Sequence, residues 1–424
     1  MNQALFSVVV FLFVVIVIIT ERMHRTLAAL TGATLLLLSG ILTVDKSIGY
    51  VDFNTIGVLV GMMMFVSVIK HSGLFEYVSI KAAKMSKGDP WKIMVAFMLI
   101  TAICSAFLDN VTTVLLMGPM TMSMAKMMKI DPVPILMAQI FASNIGGTMT
   151  MIGDPPNIMI GSAAGFSFIE FIENAGIACV FALILVIFEM KIIYKKRLFS
   201  SKDAIKEIMS LDENKAIANP RLMKQSIAMI VFIIIAFMLH ETVGIESASV
   251  ALTAAAIMMI IGKQDIDDIV SDVEWSTLLF FFGLFIVVGG MVETGVIGRL
   301  AVMVTKLSGG HTIIAMLILL WSSALLSAIL DNIPFVATLI PLIIAMGEQG
   351  VDITPLWWAI SLGACLGGNG TQIGASANVV LCGIAGKNGY PISFAEFTRL
   401  GFPVMISSVF IAMLFLLVKF GLMA

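Results

Sequence analysis

The amino-acid sequence predicts an all-α integral membrane protein built from two inverted repeats. We expect about ten spanning helices, two re-entrant hairpins, and broken helices at the membrane midplane. Three observations support this fold: the composition, the apolar runs and a repeat at a fixed interval. Of the 424 residues, 59% are hydrophobic and 12% are charged, and the mean hydropathy is +1.06. Because an average soluble domain has roughly 25% charged residues, this chain could not cover a water-facing surface.

The composition also excludes several classes of function. A soluble enzyme or a disordered chain would need more polar residues. The balance of 25 Lys and Arg against 27 Asp and Glu gives no basic field for a nucleic acid. The four cysteines lack CxxC spacing, so neither a disulfide framework nor a zinc site is expected. Because HExxH, Walker and nucleophile-elbow motifs are absent from the sequence, we expect no enzyme activity, no metal site and no cofactor.

Fourteen apolar runs are long enough, or nearly long enough, to cross a membrane. A spanning helix needs roughly 20 apolar residues for about 30 Å of hydrocarbon. The first run has no positive charge before it, so we expect a spanning helix and not a cleaved signal peptide. The runs are 4–20, 25–43, 53–70, 92–108, 112–129, 135–164, 175–194, 226–242, 247–262, 275–292, 313–329, 333–347, 356–386 and 402–420.

A repeat relates the two halves of the chain at an interval of 222 residues. Chance similarity between apolar segments does not reproduce Gly, Pro and Asp-Asn at one fixed interval. The sequence therefore predicts a first repeat at 1–194, a cytoplasmic linker at 195–225 and a second repeat at 226–424. The matched residues are Gly61 with Gly283, Gly73 with Gly295, Leu108-Asp109-Asn110 with Leu330-Asp331-Asn332, Pro119 with Pro341 and, after deletion of one residue, Gly146-Gly147 with Gly367-Gly368 and Asn157 with Asn378.

Each half contains two interruptions of its helical pattern. Asp109-Asn110 and Asp331-Asn332 lie in the middle of apolar runs, which predicts re-entrant hairpins whose tips reach the membrane centre. The runs 135–164 and 356–386 contain several glycines, and the first also contains Pro155-Pro156, so neither can be one continuous helix. Non-helical backbone at this depth needs protein or a water-filled cavity around it. We therefore expect the hairpins and broken helices to surround one shared cavity.

The number of crossings and the positive charges predict the topology. The first half crosses the membrane an odd number of times, whether or not the hairpin arms span it, so the second half is inverted. With the linker in the cytoplasm, 21 of the 25 Lys and Arg residues lie on or near that side, as the positive-inside rule requires. We therefore expect a multi-pass protein of the cell membrane, plasma or inner, with both termini outside.

Three acidic residues, Asp109, Asp154 and Asp331, lie well inside apolar segments. A charge at the bilayer centre costs roughly 2.5–3.5 kcal/mol, so intramembrane acids are functional by default. Asp109 and Asp331 recur by symmetry and are predicted to carry protons or cations. Asp154 is matched by Ala375, so either the first half binds an additional positive charge or Asp154 caps the second half-helix. A structural role, as a protonated or amide-paired acid, is the alternative for all three.

The tips and breaks are also rich in polar side chains and glycines that could bind the solute or an ion. The N-terminus of a half-helix can hold an anion, and carbonyl, amide and hydroxyl oxygens can hold a cation. The alternative roles are hydrogen bonds between helices for the polar residues and close packing for the glycines. The candidates are Asn110, Thr112, Thr113, Asn144, Gly146, Gly147, Thr148, Asn157, Asn332, Gly367, Gly368, Asn369, Thr371 and Asn378.

These motifs resemble those of the ion transporter superfamily, which includes arsenite permeases, the pigmentation P protein, Na+/H+ antiporters and divalent anion/sodium symporters. The resemblance covers nearly the whole chain. It is closest to the arsenite-permease and P-protein branch, which combines a Leu-Asp-Asn-Val-Thr-Thr tip, here 108–113, with a Gly-Asp-Pro-Pro-Asn break, here 153–157. It implies a scaffold domain, a moving transport domain, elevator-type alternating access and a homodimer. The Asp-Asn tips differ from the Ser-Asn-Thr tips of dicarboxylate symporters, which favours coupling through a titrating acid.

Three functional hypotheses remain open. The first is a secondary transporter, coupled to protons or to sodium, that exports arsenite, antimonite or a related small inorganic solute. The expected absence of Lys and Arg inside the membrane favours a neutral hydroxide or a singly charged anion. The second is a Na+/H+ antiporter whose acids bind the transported cation, and the third is a gated ion channel. The expected partners are the solute, membrane lipid and a second copy of the chain, with a cytoplasmic ATPase left open.

Overall fold

The computed structural model describes residues 3–20, 22–195 and 198–421. Lys196 and Arg197, two of the charges predicted to lie in the cytoplasm, are outside the described residues, as is the side chain of Lys202. Helices make up 81% of the structure, and the described residues contain no strand. The all-α class predicted from the composition is confirmed.

The described residues form 22 numbered α-helices. In the first half and the linker these are α1 (Gln3–Thr20), α2 (Arg25–Leu38), α3 (Val44–Tyr50), α4 (Phe53–Lys70), α5 (Leu74–Met85), α6 (Pro90–Phe107), α7 (Asn110–Met128), α8 (Val133–Thr148), α9 (Pro155–Ala164), α10 (Phe168–Phe171), α11 (Ile177–Tyr194) and α12 (Lys202–Ser210). In the second half they are α13 (Pro220–Val243), α14 (Ser247–Gly262), α15 (Ile266–Ser271), α16 (Trp275–Glu293), α17 (Val296–Leu307), α18 (Thr312–Ser327), α19 (Asn332–Glu348), α20 (Thr354–Gly367), α21 (Ser376–Lys387) and α22 (Phe394–Leu416).

Seven of these helical segments are long and apolar enough to cross a membrane: α1, α4, α6, α10 together with α11, α13, α16 and α22. An eighth crossing results if α17 and α18 are counted together, although they meet at an angle of 116°. The helices α2, α14 and α19 are apolar but shorter. The predicted total of about ten spanning helices is higher than this count because it includes such shorter helices. The chain is a multi-pass membrane protein.

Polar capping residues determine where several helices begin. The carboxylate of Asp89 accepts a hydrogen bond from the backbone N–H of Lys92 at 3.2 Å, and Pro90 is the first residue of α6. This arrangement is favourable because the first N–H groups of a helix have no partner within the helix and Pro has no N–H. Asp109 and Asp331 cap α7 and α19 in the same way. Each hairpin tip is therefore also a helix start.

The two broken helices occupy the centre of the molecule. Residues 149–154 separate α8 from α9, and residues 368–375 separate α20 from α21. Both interruptions coincide with the Gly-rich segments that predicted them. Every residue from Pro134 to Thr148 and from Pro355 to Gly367 is buried. The half-helices α8 and α20 are therefore surrounded by other parts of the protein.

Helices that correspond at the 222-residue interval make corresponding contacts. In sequence, α2 corresponds to α14 and α4 corresponds to α16. In the structure, α4 lies along α14 and α2 lies along α16, so each half packs against the other in the same way. The helix α6 likewise lies along α8, and α18 lies along α20. This gives a scaffold of α2, α4, α14 and α16 beside the broken helices.

The linker packs against the first half and is more than a solvated connection. Ala204 and Ile208 of α12 are buried, and α12 contacts both α5 and α7. Lys84 of α5 forms an ion pair with Glu213, and this contact lowers the pKa of the Glu213 carboxyl. The linker therefore holds a fixed position on α5.

Gly61 allows the close approach of α4 and α14. A Cβ at this position would lie 2.6 Å from the backbone carbon of Ala251, and Gly283 lies against the backbone of Ala29 in the same way. We expect Gly61→Ala to destabilise the protein by about 1–3 kcal/mol, because a backbone atom cannot move aside as a side chain can. Thermal unfolding in detergent measures this. Gly298→Ala is the control, since a Cβ there would meet no atom within 4 Å; equal unfolding temperatures for the two variants would contradict the expectation.

Candidate functional site

The tips of both hairpins and the first break meet at one small cavity. Asp109-Asn110 at the start of α7, Asn332 at the start of α19 and Asp154 before α9 all line it. The cavity volume is about 10 Å³. A volume of roughly 10–15 Å³ holds about one water molecule, so the site is closed in this conformation to anything larger.

Asp109 is buried at the first hairpin tip. Its Oδ2 atom accepts hydrogen bonds from the backbone N–H of Thr112 at 2.9 Å and from the Thr112 hydroxyl at 3.1 Å. Within the described part of the chain, Asp109 has no ion pair with a Lys or Arg side chain. Its carboxylate is therefore free to receive a cation or a proton from the cavity.

Asp331, at the second tip, has an arginine partner instead. Its Oδ2 atom accepts hydrogen bonds from Arg25 Nη1 at 2.9 Å and from the Ser376 hydroxyl at 3.1 Å. Its Oδ1 atom accepts the backbone N–H of Ile333 at 3.2 Å. The two symmetry-related acids predicted to act alike thus have different charge environments, because the residue that corresponds to Arg25 in the second half is Ser247.

Asp154 faces the cavity and is not a helix cap. Its carboxylate makes no hydrogen bond to the start of α9. The next two residues are prolines without an N–H group, and the N–H of Asn157 donates to the backbone carbonyl of Asp154 at 2.9 Å. Its Oδ2 atom instead accepts a hydrogen bond from Asn332 Nδ2 at 3.1 Å. The capping alternative for Asp154 is therefore wrong. Asp154 also interacts electrostatically with both Asp109 and Asp331, so the three acids form one cluster.

Arg25 and Glu274 also reach this site, and the sequence reasoning missed both. It placed Arg25 on or near the cytoplasmic side and expected no Lys or Arg inside the membrane. In the structure Arg25 begins α2, and its guanidinium extends to the second tip. Arg25 Nη2 donates to the Thr277 hydroxyl at 3.1 Å, and that hydroxyl donates to Glu274 Oε2 at 2.9 Å. At the 222-residue interval Glu274 matches Asp52, another acid at a helix start, which is a signal that could have been used.

Three buried asparagines connect the two broken helices. Asn144 Nδ2 donates to Asn369 Oδ1 at 3.0 Å and to Asn378 Oδ1 at 2.8 Å. Asn378 Nδ2 in turn donates to the carbonyls of Gly368 and Thr371, and so closes the second break. The Oδ1 atom of Asn144 and the Nδ2 atom of Asn369 are buried and have no hydrogen-bond partner in the described structure.

Asn157 closes the first break as Asn378 closes the second. Its Nδ2 atom donates to the carbonyls of Thr148 at 3.2 Å and Thr150 at 3.0 Å, and its Oδ1 atom accepts the Ser361 hydroxyl at 2.7 Å. All of these groups are buried. Because its amide hydrogen-bonds the unwound backbone, Asn157 holds the shape of the break.

The remaining predicted site residues do not line the cavity and belong to the packing of the helices around it. Thr148 donates to the Asn144 carbonyl at 2.6 Å, Thr371 donates to the Ala328 carbonyl, and the Thr113 hydroxyl is buried without a partner in the described structure. The glycines allow close contact between backbones. A Cβ on Gly146 would clash with the backbone of α6, and a Cβ on Gly367 would clash with the backbone of α18. A Cβ on Gly147 would clash with the backbone of Gly153. A Cβ on Gly368 would lie 3.1 Å from both Ala375 Cβ and the Gly374 carbonyl oxygen.

Two larger clefts lead toward the closed cavity. One, of about 500 Å³, contains Arg25, Asp331 and Ser376. The other, of about 220 Å³, contains Thr112 and Glu274 and lies at the Lys70 end of α4. A third cleft, of about 590 Å³, lies at the Asp52 end of α4 and contains none of the three acids. The acids are therefore approached from the Lys70 end.

The oxygen atoms around the cavity suit a proton or a hard monovalent cation. Carboxylate and amide groups are the ligands that hard cations prefer. No group of three His, Cys, Asp or Glu side chains in the described ranges is placed to bind a metal ion. The arrangement can bind and release a small charged species in a closed space at the junction of two half-molecules.

Acids, hairpin tips and broken helices that meet at a buried cavity in a multi-pass helical protein define a membrane transporter. Residues 15–363 match the citrate transporter family, CitMHS. The chain belongs to this family of the ion transporter superfamily, and its relatives with the name P protein agree with the P-protein-like branch. The family and its members are transporters and not enzymes.

Individual relatives support this assignment. An uncharacterized transporter of Mycobacterium bovis is 42% identical to this chain, over 98% of each. The P protein of Homo sapiens is 32% identical over 95% of this chain and 58% of its own length. The YdaH transporter of Alcanivorax borkumensis has a similar structure, with a TM-score of 0.63 over 99% of both chains. At 16% sequence identity, this last similarity shows the fold alone.

Proposed function

We propose that the protein is a secondary active transporter, coupled to protons or to sodium, that exports arsenite, antimonite or a related small inorganic anion. The observation that carries this proposal is the convergence of Asp109 and Asp154 on one closed cavity, with Asp331 beside it. An acid that is buried without a cation partner is the group that a driving ion can neutralise. Asp109 and Asp154 would take up the ion, and Asn110 and Asn332 would supply amide groups beside it.

The size and charge of the site favour a small solute. The family is named for citrate, which has three carboxylates, whereas the described residues that line the cavity include one guanidinium, that of Arg25, and the acids Asp109, Asp154 and Glu274. One positive group among several acids matches at most one negative charge on the solute. The closed cavity is also small. These features support a singly charged or neutral solute over a tricarboxylate.

Alternating access follows from the proposed symmetry. We propose that the two halves are inverted repeats, in which the broken helices and hairpins move against the scaffold as an elevator. The topology with both termini outside places the Lys70 end of α4 in the cytoplasm, so the clefts beside Asp331 and Thr112 would open to the cytoplasm. Solute would then be loaded from inside, as export requires. We further propose a homodimer in the cell membrane, since the superfamily commonly forms one.

The surplus of acids over cations also supports a second function, a Na+/H+ antiporter in which Asp109 and Asp154 bind the transported cation. A gated channel is the third. Purified protein in liposomes, with arsenite, sodium and pH gradients varied separately, distinguishes all three. We expect arsenite or antimonite movement that is driven by a proton or sodium gradient. Sodium-driven proton movement without any arsenic would favour the antiporter, and uncoupled downhill flux would favour the channel.

A further inference from the structure

Arg25 lies at the junction of four helices and faces a cleft. From the start of α2 its Nη1 atom donates to the Ser376 hydroxyl at 2.6 Å and to Asp331 at 2.9 Å, and its Nη2 atom donates to Thr277 at 3.1 Å. Its guanidinium also lies 5.3 Å from the ring centre of Phe280. About a quarter of its side chain, 26%, is exposed, and the exposed part lines the cleft of about 500 Å³. The guanidinium is thus fixed in place and accessible.

The Asp331 carboxylate occupies the position that an anionic ligand would take. It binds a guanidinium and the hydroxyl of Ser376, the first residue of the half-helix α21. Guanidinium, hydroxyl and helix N-terminus together form a standard set of groups for binding a small oxyanion. Because Asp331 is covalently part of the hairpin tip, its carboxylate competes with any external anion for the same groups.

We infer that Arg25 and Ser376 form an anion-binding subsite, with Thr277 holding the guanidinium in place. Asp331 occupies this subsite in the absence of solute, and a small, singly charged oxyanion takes it over. This inference rests on the proposed transport function and selects, among the solutes proposed there, the singly charged anions over neutral hydroxides such as arsenite at pH 7. The acids nearby limit the charge that the subsite accepts. Glu274 bonds to Thr277, and Asp154 interacts with Asp331, so a second negative charge on the ligand would be repelled. Among the described residues that line the cleft, His24 is the other titratable group.

The subsite also explains how the two hairpin tips differ. At the first tip Asp109 forms no ion pair with an arginine in the described structure, and its cavity suits the coupling ion. At the second tip Asp331 and Arg25 form a pair, which a solute anion opens by replacing the carboxylate. Release of the Asp331 carboxylate would free the second hairpin from α2 of the scaffold. Binding of the anion would thereby remove one contact between the parts that the elevator model moves.

Thermal unfolding of the purified protein in detergent tests this subsite. The probes are the sodium salts of formate, nitrite and phosphate, with arsenite at pH 7 as a neutral hydroxide. We expect at least one singly charged anion to raise the unfolding temperature of the wild type. The apparent affinity of Asp331→Asn for this anion should be about tenfold higher than that of the wild type, because the Asp331 carboxylate no longer occupies the subsite. Arg25→Gln should abolish binding, and Arg25→Lys should retain part of it.

Arg22→Gln is the matched control, since Arg22 is an exposed arginine of the same segment, and it should bind as the wild type does. A merely structural role for the ion pair predicts lower stability in Asp331→Asn with no gain in affinity, and that result would overturn the inference. So would anion binding by Arg25→Gln at wild-type affinity, stabilisation by neutral arsenite alone, or no stabilisation of Asp331→Asn by any probe. Binding in detergent requires no gradient, so an intact subsite with no coupled flux would contradict the proposed function only.

Discussion

Asp109→Asn is expected to reduce gradient-driven transport to the level of protein-free liposomes. Asp109 lines the closed cavity, and its carboxylate has no Lys or Arg partner in the described structure. Asparagine cannot release a proton or supply a negative charge to sodium. It can still accept the backbone N–H of Thr112, so the start of α7 is preserved, because Asn caps helices about as well as Asp does. The expected loss is therefore a loss of coupling and not of folding.

The matched control for this variant is Asp89→Asn. Asp89 caps α6 through the N–H of Lys92, as Asp109 caps α7, but lies away from the cavity. Both variants should retain the unfolding temperature of the wild type, and Asp89→Asn should also retain its flux. Gradient-driven flux at the wild-type rate in Asp109→Asn would exclude Asp109 as an ion carrier. Downhill flux without coupling would confirm that the variant still forms the pathway.

Features that depend on short stretches of sequence could be predicted. The breaks in the central helices follow from glycines and from Pro155-Pro156, which cannot continue a helix whatever surrounds them. The tips follow from Asp-Asn in an apolar run, because burial of such residues requires a cavity or partners. The interval of 222 residues matches α2 with α14 and α4 with α16, and the structure shows that these helices make equivalent contacts. These signals are local or periodic, and tertiary packing does not override them.

Contacts between distant segments could not be predicted. Arg25 and Asp331 are separated by 306 positions. Nothing in the apolar runs next to Arg25 indicates that its side chain reaches the second hairpin tip. The long side chain of Arg allows a residue at a helix end to place its charge well inside the protein. Asn144 and Asn378, which are also joined by a hydrogen bond, are 234 positions apart. The sequence identified these residues as polar and central, but it could not choose between solute binding and hydrogen bonding between helices.

The second large effect on gradient-driven transport is expected for Asp154→Asn. This variant distinguishes an ion-binding role of Asp154 from a structural role. Asparagine retains an oxygen that can accept Asn332 Nδ2, so the contact between α9 and the second tip is preserved. Asp154→Ala removes the acceptor and leaves a buried amide without a partner, which costs about 1–3 kcal/mol. If Asp154 binds a coupling ion, both variants lose gradient-driven transport. If its role is structural, Asp154→Asn transports as the wild type does and only Asp154→Ala is impaired.

We expect the first outcome, because the carboxylate makes no hydrogen bond to its own helix and faces Asp109 across the cavity. Asp131→Asn is the control on the same broken helix, since Asp131 precedes α8 and accepts the N–H of Val133 at its exposed end. The number of ions moved for each solute, measured from the voltage at which net flux stops, gives a second readout. If Asp154→Asn keeps residual transport, one driving ion fewer than in the wild type would likewise assign to Asp154 the additional positive charge that Ala375 cannot hold in the other half, and the wild-type number of ions would contradict this.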